Sequence, residues 1–198
     1  MAVRTYGRWP WVAAAALLPS WAVAARGRSG LAEEGRWVAG LALPILLSHQ
    51  TEEWVRPGGF LPFANQQVLA SGSPTWPLTE RLAFHINVSI GWVSAVAGLL
   101  LWRRTPAPAV AVLWLEAGNV AMHTGMAVRQ RRYNPGVATA ALLMAPHCAA
   151  GVRWVRRNRP PSRGVALAAA TAGLSVVALP AAMKLRMHRT PVGERPTG

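Results

Sequence analysis

WVAGLALPILLSHQTEEW, residues 37–54, opens as an apolar run and ends in a polar knot. From Trp37 to Leu47 no side chain is charged. Then His49, Glu52 and Glu53 arrive together, with no basic residue among them. Residues three and four apart share a face of a helix, so these three side chains project from one side. Ionisable groups at membrane depth cost about 2.5–3.5 kcal/mol each on insertion scales, and they usually face a bundle interior and mark a site. The rest of the chain is therefore expected to form the helical cage that tolerates this set. Pro44 lies just before His49, either as an ordinary membrane proline or as a kink that opens room for a ligand.

The composition agrees. Charged residues are 14% of the 198, against roughly 25% in soluble domains, and the mean hydropathy is +0.22. The apolar residues fall in blocks long enough to cross the ~30 Å hydrocarbon layer of a bilayer, which takes about 20 residues as a helix. The net charge is +14, and Lys184 is the one lysine among 21 basic residues. Such a balance can signal nucleic-acid binding. Here the arginines flank the apolar blocks, at Arg103 and Arg104, at 129–132 and at 153–163. Charges there meet anionic lipid head groups and help fix orientation. A bilayer with anionic head groups is the expected partner, and nucleic acid is not. The single cysteine, Cys148, excludes an internal disulfide.

In chain order, residues 1–25 read as a first transmembrane helix or as a signal-like segment. The signal reading rests on a basic start, a short apolar stretch and the small residues Ala22-Val23-Ala24. Further spans are expected at about 37–54, 82–102, 109–128, 137–155 and 164–183. Residues 26–163 make the helical core, 164–183 the last transmembrane helix, and 184–198 a flexible basic tail. The loop at 56–80 holds Pro57, Pro62, Pro74 and Pro77. It reads as a lid or re-entrant piece, with a short interfacial helix at 60–69. Lys and Arg divide 11 against 10 between the two sides of such a bundle, so charge does not decide its orientation. The expected fold is all-α: a polytopic membrane helical bundle of five or six transmembrane helices.

Three of only seven acidic residues, Glu52, Glu53 and Glu116, fall in or beside these spans, as do His49, His85, His123 and His147. Glu116, Asn119 and His123 form one stripe at i, i+3 and i+7. His85 and Ser89 share a face of the third span, with Asn87 nearly opposite. Spans two, three and four are thus expected to converge on one pocket. Imidazole and carboxylate together bind zinc or non-haem iron. The order His-x-x-Glu-Glu is neither of the zinc-peptidase signatures, and it reverses the Glu-x-x-His of bundled di-iron sites. Two adjacent glutamates also suit acid/base work or a proton relay. The expected metal ligands are His49, Glu52, Glu53, His123 and His85. His49, Glu52 and Glu53 are also the candidate catalytic groups, and Glu116 and Asn119 are expected to support the ligands from behind. His147 reads as a satisfied core histidine, His188 as surface, Cys148 as a buried small residue, and Tyr133 as an interface anchor. There is no Gly-x-Ser-x-Gly, phosphate loop, dinucleotide fingerprint or cysteine pair.

Three ordered elements carry a resemblance. His49-Gln50-Thr51-Glu52-Glu53 is followed by Asn119-Val120-Ala121-Met122-His123, and then by Arg132-Tyr133-Asn134-Pro135-Gly136-Val137-Ala138-Thr139. In this the chain resembles the HXXEE-domain membrane proteins of bacteria, over about 37–155. The resemblance implies a multi-pass protein of the bacterial cell membrane. It adds weight to His49, Glu52, Glu53, Asn119 and His123, and it implies no reaction.

The leading functional expectation is a metal-dependent enzyme, with zinc or iron, acting on a lipid-like or apolar substrate. The alternatives are a metal-free isomerase or cyclase, a proton-coupled transporter, and a structural membrane subunit.

Overall fold

The computed structural model describes residues 6–160 and 162–190. Every regular element among them is helical, and none is a strand. The first helix, α1 (Trp9–Arg26), leads through the short α2 (Arg28–Ala32) to α3 (Trp37–Gly40) and α4 (Ala42–Trp54). The break at Leu41 has a local cause: Pro44 has no N–H to offer the Gly40 carbonyl, and its ring crowds that carbonyl. The interruption therefore falls a turn ahead of the proline, and His49 stands on the unbroken part.

α1 packs along α4. Trp9 meets Trp54 edge-on at 5.1 Å, and the Trp21 indole donates to Ser48 Oγ at 3.0 Å. After α4 comes α5 (Phe60–Phe63), continued by a π-helical turn (Ala64–Val68). The loop beyond it is organised by one buried side chain. Asn65 donates to the Pro74 and Leu78 carbonyls at 3.0 and 2.9 Å and accepts from the Leu78 N–H at 2.9 Å. Trp76 is buried beside it in the loop.

The next helix joins α6 (Glu80–Phe84), a π-helical stretch (His85–Trp92) and α7 (Val93–Leu101). Thr79 caps it, accepting from the Leu82 N–H at 3.3 Å. A turn then leads into α8 (Ala107–Gln130), which starts on Pro106 and Pro108, tolerated where the first N–H groups have no partner anyway. α8 is the axis of the bundle: α7, α10 and α11 all pack on it. Gly98 of α7 permits one close approach, since a Cβ there would stand 3.2 Å from the Ala109 backbone. The short α9 (Val137–Thr139) continues as a π-helical turn (Ala140–Met144) into α10 (Ala145–Asn158). The last helix is α11 (Arg163–Arg189), capped by Ser162. The tail expected from residue 184 is thus helical as far as Arg189, and residues 191–198 lie outside the described residues.

Two helices among the described residues are long and apolar enough to cross a membrane: Glu80–Leu101 and Arg163–Arg189. Both are mostly exposed, at 17% and 6% buried, so neither is apolar because it forms a core. The other expected spans do not meet that test. Residues 37–54 break at Leu41, and α8 carries Glu116, Asn119 and His123.

Asn65→Ala should leave two carbonyls and an N–H without their partner. The expected result is a loss of about 2 kcal/mol of stability, read as a lowered melting temperature of the purified protein.

Candidate metal centre

His49, Glu52 and Glu53 stand on the last turns of α4, and all three are buried. His123 stands near the far end of α8 and is fully buried. α8 closes on Arg131 in the left-handed conformation, and the turn through Pro135 and Gly136 then folds back over these residues. Gly136 has φ +101, and a Cβ on it would lie 2.5 Å from His123 Cε1 and 2.9 Å from His49 Cε1. Only glycine fits there, by conformation and by space.

The hydrogen bonds assign the protons. Asn134 Nδ2 donates to the His123 carbonyl at 2.9 Å, which turns its oxygen toward His123 Nδ1 at 2.8 Å. An amide oxygen only accepts, so His123 Nδ1 carries the proton. The Thr139 hydroxyl donates to Glu52 Oε2. Its oxygen is then free to accept from His49 Nδ1 at 2.9 Å. Both imidazoles are thereby Nδ1–H tautomers whose Nε2 lone pairs point inward.

Those lone pairs converge on Glu53. Its Oε1 lies 3.4 Å from His49 Nε2 and 3.1 Å from His123 Nε2. The three ligand atoms lie within 4.8 Å of one another. His49 Nε2 is buried and has no hydrogen-bond partner. Three electron-pair donors facing one point repel unless a cation lies among them. Ligands about 2.0–2.1 Å from a tetrahedral ion stand about 3.4 Å apart, close to the 3.4 and 3.1 Å between Glu53 Oε1 and the two imidazoles. The donor set of two imidazoles and one carboxylate leaves a fourth position open, as in catalytic zinc sites. The group could therefore hold a metal ion.

Glu52 does other work. Its Oε1 accepts from Tyr133 Oη at 2.7 Å and from the Ala138 N–H at 3.0 Å; its Oε2 accepts from the Thr139 N–H at 2.7 Å as well as from the Thr139 hydroxyl. Four donors satisfy this carboxylate and leave it no reason to turn to a metal. It pins the 133–139 turn to α4 and, through Thr139, orients His49. Burial and the Glu52 bond push the Tyr133 hydroxyl above its usual range, so it stays a donor.

The remaining expected site residues lie elsewhere. His85 is exposed and pairs with Ser89 on its own helix at 3.2 Å. The inward side of that helix is the one with Asn87, which accepts from Gln50 Nε2 at 3.0 Å, while Trp92 donates to Gln50 Oε1 at 2.7 Å. Asn119 donates to the Leu115 carbonyl of α8 itself and does not support a ligand. Glu116 is buried against His147, Oε2 to Nδ1 at 2.7 Å. His147 Nε2 donates to the Val38 carbonyl at 3.0 Å, so it is a satisfied core histidine. The third wall of the centre is thus the 133–139 turn, not the third expected span.

Residue chemistry alone gives Asn134, Gly136 and Thr139 no role. The signal was present all the same: they fall in the third element of the family resemblance, in the turn that follows α8. Phe60 and Phe63 complete the surroundings, with ring centroids 5.7 and 6.5 Å from the His123 ring.

This fold and centre define a class: an all-helical bundle holding a buried two-histidine, one-carboxylate cluster at one end. The chain belongs to a family described as proteins of unknown function with an HXXEE motif, whose model matches residues 40–150. No curated protein and no solved structure matches the chain.

Thr139→Val should remove the hydroxyl between Glu52 and His49 while keeping the shape. We expect metal affinity to fall about 10–100-fold, with Thr139→Ser close to wild type, as read by chelator competition.

Proposed function

We propose that the protein is a multi-pass membrane enzyme that uses a divalent metal, zinc or iron, held by His49, Glu53 and His123. One observation carries this reading: two imidazole lone pairs and a carboxylate oxygen meet in a buried space where His49 Nε2 has no partner. A metal bound there would polarise a substrate oxygen or activate a water at the open position. The chain's own residues would hold the ligands in the right tautomers, through Asn134 and the Glu52–Thr139 pair. The rings of Phe60 and Phe63 would keep water away from the His123 side.

The substrate class follows from the walls. Aromatic rings border the centre, and two helices are apolar enough to lie in a bilayer. Both favour a lipid-like or apolar substrate entering from the membrane. The wider five- or six-span arrangement is consistent with arginines at the helix ends.

One specific distance supports a second reading. His123 Nε2 and Glu53 Oε1 are 3.1 Å apart, within reach of a shared proton. A proton there would supply the positive charge and make the pair a metal-free acid/base catalyst.

Elemental analysis after gentle extraction separates the two. The metal reading expects close to one zinc, iron or manganese per chain, lost in Glu53→Gln and in His123→Ala and kept in His85→Ala. Protein free of all three metals, and unable to take them up, would leave the acid/base reading.

A further inference from the structure

We propose that a cleft at the other end of the bundle binds a phosphate group with a neighbouring amine, the chemistry of phosphoethanolamine. The cleft has a volume of about 630 Å³ and is lined by Glu34, Arg103, Trp154, Asn158 and Arg159. It lies beside the start of α8, whereas His123 is ~24 Å further along that helix at 1.5 Å per residue. The two sites are therefore separate, and this one does not depend on the metal reading.

Arg159 is the first argument. Its guanidinium lies over the Trp102 ring at 5.2 Å and over the Trp154 ring at 5.8 Å. Its Nη2 reaches the Trp102 carbonyl at 3.4 Å, and its Nε is buried without a hydrogen-bond partner. Two indoles thus hold a planar cation at the wall of the cleft, where Nη2 makes its one hydrogen bond among the described residues. A guanidinium fork so held matches phosphate oxygens. Arg103 lines the same cleft and adds a second positive charge.

Glu34 is the second argument. It lines the cleft in a left-handed conformation, φ 48 and ψ 22, which side chains other than glycine, asparagine and aspartate seldom take. The turn is held there from both sides. Trp102 Nε1 donates to the Glu34 carbonyl at 3.0 Å, and the Trp154 ring occupies the space where Gly35 would carry a Cβ. Strained positions held by their surroundings cluster at ligand sites. No ion pair within 4.0 Å joins Glu34 to Arg103 or Arg159 among the described residues. One cleft is therefore lined by two cations and a carboxylate that are not joined in a direct ion pair. A ligand bearing both a phosphate and an ammonium group would complement them.

That chemistry has two sources, a lipid head group and a free phosphoethanolamine. Only the lipid source relies on the membrane reading. The test uses full-length protein in mixed micelles, with native mass spectrometry. The probes are phosphatidylethanolamine, phosphatidylglycerol, soluble phosphoethanolamine and inorganic phosphate. We expect phosphatidylethanolamine to be retained over phosphatidylglycerol, which has the same phosphate and no amine. Glu34→Gln should cut that preference about tenfold, one charge-assisted contact. Arg103→Gln and Arg159→Gln should lower retention of both lipids, with metal content unchanged. Binding of soluble phosphoethanolamine as tight as the lipid would support the same chemistry with a soluble ligand. Arg159→Gln removes packing on two indoles, so if it fails to fold, the exposed Glu34 and Arg103 carry the test. Equal retention of the two lipids, or retention unaffected by Glu34→Gln and Arg103→Gln, would overturn the proposal. So would binding of inorganic phosphate alone at the affinity of the amine-bearing probes.

Discussion

A carboxylate buried among apolar helices needs hydrogen-bond donors or a cation at its oxygens, and Glu52 meets four donors. Two come from the backbone of α9 and two from the hydroxyls of Tyr133 and Thr139. This cluster of bonds is what joins α4 to the turn after α8. Gly136 hangs over both imidazoles because that turn is held there. Thr139 can present a lone pair to His49 because its proton is committed to Glu52. Remove the carboxylate, and the turn, the tautomer and the convergence of ligands all lose their cause.

The same logic separates the two glutamates. They are adjacent, so in a helix they project about 100° apart. Glu52 faces the turn, where donors are plentiful. Glu53 faces two imidazoles, where there are none. One carboxylate becomes a fastening and the other a ligand through surroundings alone. Glu116 shows a third outcome: it is paired with His147, and its Oε1 is buried without a partner. The buried acids thus fall along the bundle in distinct environments, and the unpaired Glu34 lies in the cleft at the far end.

Much of this was legible in the residues themselves. The helical spacing of His49 and Glu53 placed them on one face, and the apolar context marked His123 as a partner. The all-helical class followed from the apolar blocks. What failed had a physical reason in each case. The third span carries polar groups on opposite faces, His85 with Ser89 and Asn87 against them, and spacing alone does not say which face turns inward. The π-helical winding at His85–Trp92 also changes the angle per residue there. Asn119 lies on the same helix as His123, but its amide bonds to its own backbone, while Asn134 reaches His123 by a reversal of the chain. Contacts made by a turn carry no periodicity, so the most important supporting residue, Thr139, left no trace in helical spacing. Of the expected spans, two are helices long and apolar enough to cross a membrane among the described residues, while residues 37–54 break at Leu41 and turn polar from Ser48.

The central claim is that the protein fixes both imidazoles as Nδ1–H tautomers before any metal arrives. Nitrogen-15 NMR of histidine-labelled protein, stripped of metal and then titrated with zinc, tests it directly. The account predicts protonated Nδ1 and unprotonated Nε2 for His49 and His123 in the stripped protein. It also predicts that zinc shifts the Nε2 signals of these two residues and leaves His85 and His147 unmoved. Nε2–H tautomers in the stripped protein, or no response of these two rings to zinc, would contradict it.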